Sequence, residues 1–117
     1  MAIKVTPEDR LFSLCVRGMA DGCEYCGKKG RLETSHFHGR RKRSVRWDFD
    51  NAAALCNGCH RMFHENPYKH TEFFRQRLGA KRFEQLNIRA ETIRKWRPDE
   101  LADLRADLKE RVRVLES

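Results

Sequence analysis

Four of the five cysteines form two Cys-x-x-Cys pairs, Cys23/Cys26 and Cys56/Cys59, with 29 residues between the pairs. Two such pairs bring four thiolates into the tetrahedron that a closed zinc site prefers, and a reducing compartment disfavours the disulfide alternative. A redox Cys-x-x-Cys needs a strand-to-helix context and has no use for a second pair. Four sulfur ligands leave no open coordination position. The zinc is therefore expected to be structural, contributing on the order of 10 kcal/mol toward ordering a polar segment. Lys28, Lys29 and Arg61 flank the pairs and offset the negative charge of the loaded site. Cys15 lies in the apolar stretch from Leu11 to Val16 and reads as a small buried residue.

Between and beside the pairs lie further groups with chemistry: His36, His38, Asn51, His60 and His64. His64 follows His60 by four residues, which aligns two imidazoles on one helical face, and His38 follows His36 at strand spacing. A neutral imidazole can accept a proton from water near pH 7. Phosphodiester hydrolysis needs such an acceptor and a cation for the charge on phosphate and leaving oxygen.

The charge points to a polyanion. The chain carries 25 Lys+Arg against 17 Asp+Glu, a net +8, and all of the excess falls in residues 24–90 because both ends balance. Its densest part follows Gly39, where Arg40, Arg41, Lys42, Arg43 and Arg46 stand with Trp47. On one reading these five cations are a solubilising loop or a localisation signal; on the other they contact nucleic acid, DNA if the chain is a nuclease, gripping phosphate rather than reading bases.

The runs Cys23-x-x-Cys26, Ser35-His36-Phe37, Arg46-Trp47-Asp48-x-Asp50-Asn51, Leu55-Cys56-x-x-Cys59-His60 and Glu65-Asn66-Pro67 can be taken together. On them, residues 20–68 resemble the HNH endonucleases, the zinc-stapled branch of the ββα-metal nucleases, most closely small phage and prophage members. The resemblance implies that His36 is the general base and that Asn51 fixes the strand presenting it. It implies also that His60 holds a second, catalytic divalent ion, with His64 as its partner ligand. Many members carry Asp or His before the base histidine, where this chain has Ser35. That leaves Ser35, His38 and His64 as alternatives for the second ligand. A mixed nitrogen and oxygen set suits Mn²⁺, Ni²⁺ or Zn²⁺ better than Mg²⁺.

These residues must be held by a small scaffold. With 117 residues, 39% hydrophobic and 36% charged, the chain allows one domain with a thin core and excludes a multi-domain enzyme. The expected class is α+β: a small ββα-metal (HNH) core with a four-cysteine zinc site, residues 20–68, an N-terminal helix, and a helical C-terminal extension over 69–117. Pro7 to Ala20 reads as a helix capped by Thr6, with strands at 32–38 and about 45–55. Residues 57–65 read as the site helix, ended by Asn66-Pro67. Helices follow at Lys69 to Leu78, Ala80 to Leu86 and Pro98 to Leu115. In the last, Leu101, Leu104, Leu108, Val112 and Leu115 form a stripe that either covers the domain or pairs it with a second copy or a phage protein. No apolar run approaches the ~18 residues of a membrane span, and the start lacks a signal-peptide core, so a soluble cytoplasmic protein without membrane contact is expected.

The functional expectation is a metal-dependent DNA endonuclease or nickase. The alternative is a non-catalytic zinc-stabilised nucleic-acid-binding module, or an accessory factor to phage packaging or recombination machinery.

Overall fold

In the computed structural model, which describes residues 3–117, helix α1 spans Pro7–Gly18. Met1 and Ala2, the first residues of the start in which no signal peptide is expected, lie outside the described residues. Thr6 caps α1: its hydroxyl accepts from the Asp9 amide at 3.2 Å, the Asp9 carboxylate accepts from the Thr6 amide at 2.9 Å, and Pro7 opens the first turn.

Strand β1 (Glu33–His36) pairs antiparallel with β2 (Ala52–Leu55) in the register Glu33–Leu55 to His36–Ala52. A single 3₁₀ turn, Phe49–Asn51, leads into β2. Then come α2 (Asn57–Glu65), α3 (Pro67–Leu78), α4 (Ala80–Glu91) and α5 (Pro98–Glu116). The architecture is helices around a two-stranded sheet. A lone hairpin is marginal in water, so this one depends on what covers it. All four residues of β2 are buried, and its three alanines let helices approach closely.

Both strands are shorter than expected, for a local reason. Beyond His36, the ladder is replaced by the Asn51 carboxamide, which accepts from the His38 amide at 2.8 Å and donates to the His38 carbonyl at 2.9 Å. Residues 45–48, expected as strand, turn inward: Val45 sinks beneath α3 and α4 beside Leu78, Leu86 and Ala90, and Trp47 joins the main core. Arg89 ties Asp48 and Asp50 to α4, whose extension to Glu91 beyond the expected Leu86 supplies that arginine and the buried Ala90. Between α3 and α4, Gly79 adopts φ 83°, a backbone conformation that favours glycine.

The main core joins the two ends of the chain. Phe12, Cys15 and Val16 of α1 meet Ala52, Ala54, Trp47 and Leu108, with Leu101, Leu104 and Val112 alongside. Most of the leucine stripe of α5 thus faces α1 within the same chain, while Leu115 at its end stays exposed. Glu8 and Arg105 pair across that seam at 2.9 Å. Among the described residues, no helix is long and apolar enough to cross a membrane.

Candidate functional site

The first Cys-x-x-Cys pair sits in a tight turn. The Cys23 amide donates to the Lys28 carbonyl at 2.9 Å, the Gly27 amide to the Cys23 carbonyl at 2.9 Å, and the Cys26 amide points at the Cys23 sulfur at 3.5 Å. Gly22 has φ 133°, and a Cβ there would lie 2.9 Å from the Gly27 carbonyl oxygen. The second pair opens α2, where the His60 amide donates to the Cys56 carbonyl at 2.9 Å. The four sulfurs lie within 4.8 Å of one another, and none is in a disulfide. Cys26 and Cys56 sulfurs are 3.7 Å apart, close to the ~3.8 Å edge of a tetrahedron built on Zn–S bonds of ~2.3 Å.

Burial alone would raise the Cys23 thiol, but backbone hydrogen bonds from Cys26, Cys56 and Tyr25 outweigh it and bring the pKa down to about 6. Burial and hydrogen bonding with the other thiols push Cys59 up. A set that already favours one thiolate and crowds three more around it calls for a cation. The four cysteines are positioned to hold a metal ion, and the all-sulfur set fits structural zinc. Phe63 and Phe73 stack at 5.2 Å beside them and shield one side.

Next to this centre, His36, His60 and His64 line one cleft of about 550 Å³ with Arg40 and His70. Strand alternation sends Glu33 and Ser35 toward α2 and α3, and Thr34 and His36 toward α1. Thus Glu33 Oε1 meets His60 Nδ1 at 2.8 Å and Ser35 Oγ meets His70 Nε2 at 3.4 Å, while His36 stacks near Phe12 at 5.9 Å and reaches the cleft from its rim. Burial, with the nearby Arg40 charge, lowers the His36 pKa to about 4, so the ring is neutral at pH 7. The hydrogen bond from His60, with another from Asn57, holds the Glu33 carboxyl below its usual range. That bond leaves Nε2 as the remaining nitrogen of His60.

Asn51 is fully buried and lies outside the cleft, joining the His38 backbone to the Val45 carbonyl at 3.2 Å. His64 stands exposed, its ring 6.0 Å from that of His60. His38 turns away, its Nε2 2.8 Å from Asn87 Oδ1. Ser35 is buried against His70. Among the described residues the four cysteines are the one group of three or more metal-ligating side chains that converge. His60 and His64 stand side by side on α2 with no third metal-ligating side chain converging on them among the described residues.

The expected DNA contacts separate. Arg41, Lys42 and Arg43 are exposed, Arg40 is partly exposed above the cleft, and Lys42 approaches Glu91 at 3.7 Å. Arg46 is corrected: it is 5% exposed and bonded through both ends of its guanidinium to Asp9, at 3.0 and 2.6 Å. The Trp47 indole also donates to Asp9 at 3.0 Å. Burial would raise Asp9, but Arg46 and the Thr6 cap hold its pKa down at about 2. The motifs single out neither His70, which lines the cleft, nor Glu33, which bonds the cleft residue His60. Glu33 stands two residues before the buried Ser35 on an alternating strand, which is the available signal; His70 carries none.

A metal centre of four sulfurs beside a basic, histidine-lined cleft defines a small zinc-fitting α+β protein. Residues 10–117 match the family model of the Bacteriophage Lambda NinG protein, and the chain belongs to that family. This corrects the HNH endonuclease assignment drawn from the motifs, since the matching family is NinG and not an HNH endonuclease family. The paired cysteines and a histidine at a helix head are a local pattern, whereas the family match extends over the helices on both sides. No match was found among curated proteins or among solved structures.

Proposed function

We propose that the chain is a zinc-stabilised DNA-binding module of a phage, acting as an accessory to recombination or packaging machinery. The observation that carries this reading is the convergence of four sulfurs at the start of α2, beside the hairpin whose connection bears the cations. A closed sulfur site is architectural, and what it orders is the stretch holding the charge excess. Exposed Arg41, Lys42 and Arg43 offer charge to phosphate, and phosphate contacts position a duplex without specifying sequence. Fluorescence anisotropy of the zinc-loaded protein on a labelled DNA duplex tests it across a salt series. Log Kd should rise linearly and steeply with log salt. Failure to bind at low salt rejects the reading.

A second reading adds phosphodiester hydrolysis, and the neutral His36 at the rim of the cleft favours it. A water oxygen would bond to phosphorus and lose its proton to the His36 imidazole. The bond from phosphorus to the leaving oxygen would break, with that oxygen taking its electron pair and a proton from solvent. Arg40 neutralises the phosphate, and Glu33 orients His60 in the same cleft. His60, with His64 beside it, would hold a divalent ion, which would take up charge on the phosphate and leaving oxygen. Conversion of supercoiled plasmid to nicked circles in Mn²⁺ buffer decides between the readings. Hydrolysis requires nicking by the wild type and its loss in His36→Ala; binding without nicking leaves the module alone.

A further inference from the structure

A second cleft, of about 590 Å³, runs along α1 and is lined by Arg10, Ser13 and Arg17 together with Thr34, His36 and Arg40. The last three also line the histidine cleft, so the two depressions meet at His36. We propose that this α1 groove is a second binding site for the nucleic-acid backbone, in which Arg10 and Arg17 hold phosphates on the far side of His36 from His60. The inference rests on the DNA-binding reading and relocates much of the grip from the exposed turn to α1.

Three features support it. Arg10 and Arg17 are seven residues apart, two helical turns, so they share a face about 10 Å long, room for separate phosphates. Ser13 lies between them on that face, its hydroxyl 2.8 Å from that of Thr34, which places two hydroxyls on the groove floor. The groove's one carboxylate, Asp9, is already matched by Arg46 at 2.6 Å and Arg40 at 3.5 Å, so it does not repel an anion. Beside the apolar Val5 and Leu14, the groove therefore presents cations and hydroxyls, the donors a phosphodiester backbone accepts from. Arg40 bridges the two clefts, and one strand crossing it would bring its backbone past His36.

The test is anisotropy with a labelled DNA duplex and with an RNA duplex of the same sequence, for three proteins: wild type, Arg10→Ala/Arg17→Ala, and the charge-matched Lys109→Ala/Arg113→Ala on α5. Arg10→Ala alone is added because Arg10 is exposed and its loss leaves the core intact. The groove double variant should weaken DNA binding by roughly tenfold or more at about 0.15 M salt and reduce the salt slope by about two, with about half that slope change for Arg10→Ala. The α5 variant should stay within about twofold of wild type. An equal fold loss on both duplexes identifies phosphate as the group read; a loss on RNA alone overturns the assignment to DNA. Equal behaviour of the groove and α5 variants overturns the groove while DNA binding stands. Absence of binding by the wild type removes both.

Discussion

Two clamps hold the β1–β2 hairpin from opposite ends, and they differ in kind. At one end, four sulfurs from two short segments close on a metal-sized space; at the other, Asp9 of α1 gathers Thr6, Arg46 and Trp47 into a buried polar knot. The sulfur end is a set of like groups that repel unless a cation joins them. The carboxylate end is complete by itself, each oxygen already accepting from a donor. The first is positioned to tie the fold to an ion, and the second fixes one arginine of a cationic run inside the protein while Arg43 stays in water.

The largest effect should come from breaking the sulfur end. Cys56→Ser, or removal of the metal by a chelator, forgoes binding energy on the order of 10 kcal/mol. Circular dichroism should show the cooperative thermal transition lost at room temperature; an unchanged transition would make the four-cysteine cluster incidental.

Breaking the other clamp leaves a buried charge unpaired. Arg46→Ala should cost about 3–5 kcal/mol in urea unfolding, against at most about 0.5 for the exposed Arg43→Ala. Equal effects would mean that Arg46 is a surface residue like the rest. Acid titrates the groups of the two clamps at different pH. Metal binding weakens first, because its thiolates must stay deprotonated. The folded-state pKa of Asp9 lies below its usual value of 3.8, so its contribution is full above that pH and is lost as pH falls toward about 2. Because the fold depends on the ion, zinc release followed by a chromogenic chelator and the change in tryptophan fluorescence should coincide, above the pH range in which Asp9 titrates. A fluorescence change delayed to the Asp9 range would show that the carboxylate clamp stands without the metal. Asn51→Ala, which orphans buried backbone groups of His38 and Val45, should cost on the order of 3 kcal/mol. Thr6→Ala removes one cap and about 1 kcal/mol.

The difference between the clamps also explains what the sequence makes legible. Paired cysteines announce their partners by spacing, and Thr6-Pro7 and Asn66-Pro67 mark helix starts through local chemistry. Asp9 and Arg46 are 37 residues apart, and nothing in a run of cations distinguishes the one that turns inward. The apolar Val45 and Trp47 on either side of it are the hint. The strands fall short of their sequence pattern because an asparagine side chain can stand in for a ladder partner, which propensity does not register. His70 joins the cleft, and Glu33 meets His60 beside it, through pairings that depend on helix placement. The motif resemblance covers only the metal-centred half of the chain, while the family match reaches from α1 through α5.

Zinc K-edge X-ray absorption of the purified protein, isolated without added metal, reads the sulfur centre itself. It should show one zinc per chain with four sulfur neighbours at ~2.3 Å and no nitrogen in the inner shell. A mixed sulfur and imidazole shell, or a folded protein without zinc, would contradict this.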